Sequence, residues 1–229
     1  MLLRAIPEGR DDRWRLAVEF AGHWVRTSGE LDRVSPARLD AAEARLGLPL
    51  PGALREWYER LGCQGDLWSV QDTFLPPEEL TLRGDLLAFY VENQAVWYIG
   101  VGLGDLAADD PPTLIDEREI PKRARAVSPS ISLLALQMLA YAVKFARPAG
   151  EHLFGSWTEA TLRSVGRHYA RTALPPLDLF GQETTFYEGP DALIEVSGGD
   201  GYLYPTFRSE EASRRFEQVV AGTGFEWEM

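Results

Sequence analysis

Apolar residues recur at helical spacing through the first sixty positions of this 229-residue chain. Trp14, Ala17, Val18, Ala21, Trp24 and Val25 form one stripe, which predicts a helix from about Asp12 to Arg26, capped by Asp12 and ended by Thr27-Ser28-Gly29. Ser35-Pro36 opens a second, because proline loses no hydrogen bond in a first turn; Leu39, Ala42 and Leu46 are its stripe and Gly47 its stop. After Pro49 and Pro51 a third carries Leu54, Trp57, Tyr58 and Leu61 up to Gly62. From Gly65 the pattern changes. Leu86 to Val91 and Val96 to Ile99 are rich in β-branched and aromatic residues and flank the polar Glu92-Asn93-Gln94, as in a hairpin.

Another strand is expected at Thr113-Leu114-Ile115, after Pro111-Pro112. Ser128-Pro129 repeats the cap-and-proline start, and the helix that follows is apolar nearly all round, which marks a buried, central helix against which the sheet packs. Its apolar stretch, Ile131 to Ala146, is shorter than a membrane span of ~18 residues and contains Gln137 and Lys144. Trp157, Leu162, Val165 and Tyr169 predict a helix. Strands follow at Thr184 to Tyr187, Leu193 to Val196 and Tyr202 to Tyr204, the last two joined through Gly198-Gly199-Asp200-Gly201. Ser209-Glu210-Glu211 starts a final helix with Phe216, Val219 and Val220 inward and Gly222 beyond its end. Helices, then strands, then helices predict an α+β fold, a largely antiparallel or mixed sheet packed against helices. With no repeat or linker, residues 1–229 read as one domain.

Composition narrows the function. Twenty-three Lys and Arg against 35 Asp and Glu leave a formal charge of −12, which argues against nucleic acid or an anionic membrane surface as partner. One cysteine, Cys63, excludes an intramolecular disulfide, and three histidines cannot supply a rich metal site. The N-terminus meets Pro7 and then acidic residues before any long apolar run, unlike a signal peptide, so the expected location is cytoplasmic.

No catalytic motif stands out. Gly100-Val101-Gly102-Leu103-Gly104-Asp105 resembles a phosphate loop only superficially, since acidic residues and prolines follow where a helix should begin; it reads as a strand exit and loop. His23, His152 and His168 share no helix-face spacing, Cys63 has no activating neighbour on its N-terminal side, and Gly155-Ser156-Trp157 is no nucleophile elbow. Asp105, Asp109, Asp110, Asp116, Glu117 and Glu119 crowd one region. That run is a solvated loop, a partner-facing patch or a hard-cation site, though without the EF-hand pattern. Trp68, Trp97 and Trp227 have polar or turn-like neighbours and are the rings to test for exposure; Trp97, near the acidic run, is the expected anchor.

The segment Leu39-Asp40-Ala41-Ala42-Glu43-Ala44-Arg45-Leu46-Gly47, then Leu50-Pro51, then Leu54 to Gly62, resembles the opening of the SUKH superfamily, which joins a fungal cell-wall assembly regulator to many bacterial immunity proteins. The Phe89 to Ile99 hairpin and the Pro112 to Ile115 strand also look like that family's sheet. Gly62-Cys63-Gln64-Gly65 stands where the family usually has an Asn-Gly or Asp-Gly step. The resemblance covers about residues 34–146, leaving 1–33 as a helical extension and 147–229 as strands and a helix completing the domain. It implies a SUKH-like fold and binding rather than catalysis. The expected partner is a toxin domain, such as a nuclease or nucleobase deaminase, neutralised without cofactor or metal through Trp97 and the acidic residues. A regulatory or scaffolding module for an endogenous partner is the alternative. An enzyme requires folding to bring a histidine beside the carboxylates in a pocket.

Overall fold

The structure, a computed structural model, describes residues 1–24, 32–63, 68, 71–117, 124–146, 154–179, 181, 183–199 and 201–228. It is an α+β fold with two antiparallel sheets. The chain divides into two compact units, one of Pro7–Leu139 and one of Met1–Ile6 with Ala140–Met229.

The first unit opens with α1 (Arg10–Trp24), α2 (Pro36–Leu46) and α3 (Gly52–Leu61). α1 starts before the expected Asp12 cap. The Arg13 amide already donates to Gly9 O at 3.0 Å, so Asp12 sits inside the first turn and pairs with Arg15. The expected stop at Thr27-Ser28-Gly29 lies outside the described residues. α2 and α3 lie where their caps and stripes place them, although the Ser35 side chain makes no capping bond. Gly62, at φ +72°, closes α3 where a Cβ would stand 2.2 Å from Asp32 O.

The first sheet consists of β1 (Thr73–Phe74), β2 (Thr81–Arg83), β3 (Leu86–Val91), β4 (Trp97–Gly102), β5 (Thr113–Glu117) and β6 (Arg125–Ser128). β1 and β2 both pair with β3, which pairs in turn with β4, then β5, then β6. An aromatic cluster joins the helices to this sheet. Phe74 lies 4.6 Å from both Trp57 and Tyr58, 5.7 Å from Trp68 and 6.0 Å from Phe89. Trp57 also meets Trp14 of α1 at 6.3 Å, so α1 is built into this unit's core rather than appended to it.

α4 (Ile131–Ala146) begins in the first unit and ends in the second. It is buried over most of its length, as its missing polar face demands. Its start lies two residues beyond the expected Ser128-Pro129, since Ser128 still belongs to β6.

The second unit contains β7 (Gly155–Ser156), α5 (Glu159–His168), β8 (Ala170–Arg171), β9 (Leu177–Asp178), β10 (Glu183–Gly189), β11 (Ala192–Ser197), β12 (Tyr202–Phe207), α6 (Glu210–Val220) and β13 (Glu226–Trp227). The strand order is β13-β7-β12-β11-β10-β8, with β9 also on β10. Gly201, at φ +77°, turns β11 into β12; Asp200 of that predicted turn lies outside the described residues. Val165, Ile194, Leu203 and Phe216 centre its core. The N-terminus completes this unit. The buried Glu188 carboxylate accepts the Leu2 and Leu3 amides at 2.7 and 2.9 Å, and Ala173 donates to Leu3 O at 2.7 Å.

Candidate protein-binding surface

The acidic run that looks continuous in sequence is divided in space. Tyr98 opposes Asp116 and Trp97 opposes Glu117, so these two carboxylates lie at the β3–β4 turn end of the sheet. Asp105, Asp109 and Asp110 precede Thr113 and lie toward the opposite end of β5. The strand rise separates Thr113 from Glu117 by about 13 Å. Glu119 lies outside the described residues.

Each carboxylate then has its own setting. Asp110 Oδ1 accepts the Ser132 amide at 2.9 Å, Oδ2 accepts its hydroxyl at 2.5 Å, and Arg13 approaches at 3.7 Å. Ser130 Oγ accepts the Leu133 amide at 3.3 Å. Asp110 and Ser130 therefore cap α4, the task expected of Ser128, and Asp110 is a structural residue. Asp110→Ala should lower stability by about 0.5–2 kcal/mol in thermal denaturation, because the Ser132 amide and the Ser132 hydroxyl both lose their acceptor. Asp105→Ala, on an exposed side chain, should stay within about 0.5 kcal/mol.

Asp116 accepts from Arg83 at 3.3 Å, and the Arg83 guanidinium lies 3.9 Å from the centre of the Tyr98 ring. Glu117 pairs with Arg125 at 3.0 Å. Both pairs are partly shielded, which leaves them half available to a partner. Asp109 remains open: its side chain is 86% exposed despite an Arg10 contact at 3.6 Å, while its backbone carbonyl accepts the Ala53 amide at 2.8 Å. Asp85, which sequence reading passed over, joins this end. Its carbonyl accepts the Leu103 amide at 2.8 Å, bringing the exposed β2–β3 turn beside the turn of 3₁₀ helix Leu103–Asp105. The signal available was Gly84-Asp85 itself, a turn dipeptide between two strands.

Trp97 cannot anchor a partner from this surface. It is 1% exposed and stacks on Tyr90 at 6.0 Å with planes 4° apart. Alternation along β4 sends Trp97, Ile99 and Val101 to the core together. Trp68 is also fully buried, whereas Trp227 is half-buried against Phe216 and Phe225.

Gly100 and Gly102 lie inside β4, not in a loop. A Cβ on Gly100 would stand 2.2 Å from Leu87 O beside the β3 irregularity at Ala88–Tyr90, so close strand approach explains this glycine. His23 packs on Trp24 at 5.5 Å, and His168 Nδ1 lies 2.9 Å from Ser164 O at the exposed end of α5. His152 lies outside the described residues. Burial pushes the Cys63 thiol up to about 11, far from a reactive thiolate. Gln64 and Gly65, which follow it in the departure from the family step, are outside the described residues. No group of three potential metal ligands occurs among the described residues, and no helix there is long and apolar enough to cross a membrane.

Two further polar constellations are paired within the chain, one at the surface and one buried. A groove of about 290 Å³ runs over Ala37, Ala41 and Ala42 of α2. Its cations are committed: Arg38 donates twice to Glu78, at 2.8 and 2.9 Å, and Arg45 donates to Pro77 O and Leu80 O. The Arg38 hydrogen bonds hold the Glu78 carboxyl down at about 2. In the second unit Lys144 reaches Glu195 at 2.6 Å beneath Tyr141 and Tyr204, with both side chains at most 6% exposed.

Charge is unequally shared. Residues 7–139 hold 14 Lys and Arg against 22 Asp and Glu, a net −8, whereas the remainder holds nine against 13, a net −4. The unit with the exposed carboxylates Asp85, Asp105 and Asp109 is therefore the more acidic one. No protein-family model, curated protein or solved structure matches this chain.

Proposed function

We propose that this chain is a non-catalytic, SUKH-type immunity protein that binds a toxin domain in the cytoplasm and blocks its active site or substrate groove. The observation that carries the reading is the exposure of Asp85, Asp105 and Asp109 at one end of the sheet of the unit whose α2 and α3 bear the family-like signature, a unit with a net charge of −8. Toxins that act on nucleic acid present clustered cations to hold phosphate. An acidic surface accelerates encounter with such a protein and competes for the same cations.

The test is co-expression with the toxin-like protein encoded beside its gene. Full rescue of growth, with a complex recovered from the rescued cells, is expected. Undiminished killing with no complex formed contradicts the proposal. A complex with an endogenous protein in cells that carry no adjacent toxin gene would favour the regulatory-module alternative.

A further inference from the structure

β2 is where an apolar side chain stands open on the first sheet. Leu82 is 43% exposed; the other exposed large hydrophobic residue among those described is Met1. Leu82 opposes Leu87 in the β2–β3 register, and Leu87 is fully buried. Directly opposed residues share a face, so Leu82 lies on the core side of the sheet, at its rim. Among the described residues β2 pairs with β3 and with no second strand.

Edge strands are commonly guarded by a charged side chain that discourages pairing with another chain. The charge on β2 does not do this. Arg83 points to the opposite face, where Tyr98 and Asp116 hold it. The residues around the edge are acidic instead: Glu79 precedes β2, Asp85 follows it, and Asp105 lies by the Asp85 turn, all three exposed. This combination, an apolar knob on an open strand edge between exposed carboxylates, fits a cationic extended segment.

Building on the toxin-binding reading, we infer that a basic, extended segment of the toxin domain adds to the β2 edge as a further strand. An apolar residue of that segment covers Leu82, and Lys or Arg on either side meet Glu79 and Asp85. Backbone pairing supplies affinity, and the alternate side chains supply selectivity.

The experiment uses the full chain and a catalytically inactivated form of the neighbouring toxin domain. Leu82→Lys places a guarding charge on the edge at the rim of the core face, and circular dichroism and a thermal scan verify that it folds. Binding is expected to weaken about tenfold or more. Glu210→Lys, at an exposed position on α6, changes net charge further and should alter affinity less than about threefold. Amide exchange at residues 81–83 should slow in the wild-type complex. Wild-type affinity in Leu82→Lys, with exchange at 81–83 unchanged, overturns the edge inference and leaves the toxin-binding reading intact. A wild-type chain that forms no complex sinks both. Self-association through β2, lost in Leu82→Lys, would make the occupant a second copy and also overturn the inference.

Discussion

Replacing Lys144 by alanine should lower the free energy of unfolding by about 3–5 kcal/mol, the range for breaking a buried ion pair from one side. The ammonium lies 2.6 Å from Glu195 Oε1, and the two side chains are 6% and 4% exposed. Tyr141, Tyr204 and Phe145 place ring centres 4.0, 4.2 and 5.0 Å from the same nitrogen. Alanine removes the cation and its attraction for Glu195, while the carboxylate stays in a buried setting where desolvation is costly. The pair itself need not be stabilising relative to apolar residues of similar size. The double variant Lys144→Met with Glu195→Leu should therefore recover most of the loss. Urea unfolding of both single variants and the double distinguishes these cases. A Lys144→Ala change below about 1 kcal/mol would mean that water reaches the site and solvates the carboxylate.

The second large effect is expected at Phe74. Phe74→Ala should cost about 3–5 kcal/mol, the loss of a fully buried ring plus the cavity it leaves. The location is unusual because β1 contains only two residues. Five aromatic neighbours nevertheless surround the ring: Trp57, Tyr58, Trp68, Phe89 and Tyr90. These residues are distributed over α3, β1, β3 and the segment between them, so the ring fastens helix to sheet. Phe74→Leu keeps much of the volume and should cost clearly less. Denaturant midpoints at unchanged slope would measure both. Equal stability of the alanine variant and the wild type would show that the aromatic cluster does not organise the first unit.

Phe74 also shows where sequence reading stops. Long elements with their own punctuation were legible. Gly47 and Gly62 close α2 and α3 as expected, and Ser209 accepts the Ala212 amide at the start of α6. β3, β4 and the β10–β12 meander carry enough apolar and β-branched residues to be recognised. By contrast β1, β7, β8, β9 and β13 contain two residues each, and no periodicity exists over two residues. Their strand character comes from a partner distant in sequence. Glu188 holding Leu2 and Leu3 is invisible for the same reason, since 185 and 186 positions separate donor from acceptor.

The site was less legible than the fold. Proximity in sequence suggested one acidic patch, but β5 runs through its middle and carries Asp116 and Glu117 away from Asp105 and Asp109. Asp110 belongs to α4, a helix that starts 21 positions later, and no local pattern reports that cap. Trp97 looked available because its neighbours before the strand are polar. The alternation that buries Ile99 and Val101 buries it too. Asp85 was overlooked because it stands apart from the acidic run, and only the Leu103 hydrogen bond brings the two turns together.

The rate of association between this chain and the inactivated neighbouring toxin, measured as salt is raised from about 50 to 500 mM, tests the central claim most directly. An attraction between the −8 unit and a cationic partner predicts that the on-rate falls by about tenfold or more, while the off-rate changes little. An on-rate indifferent to salt, or no association at micromolar concentration, would contradict it.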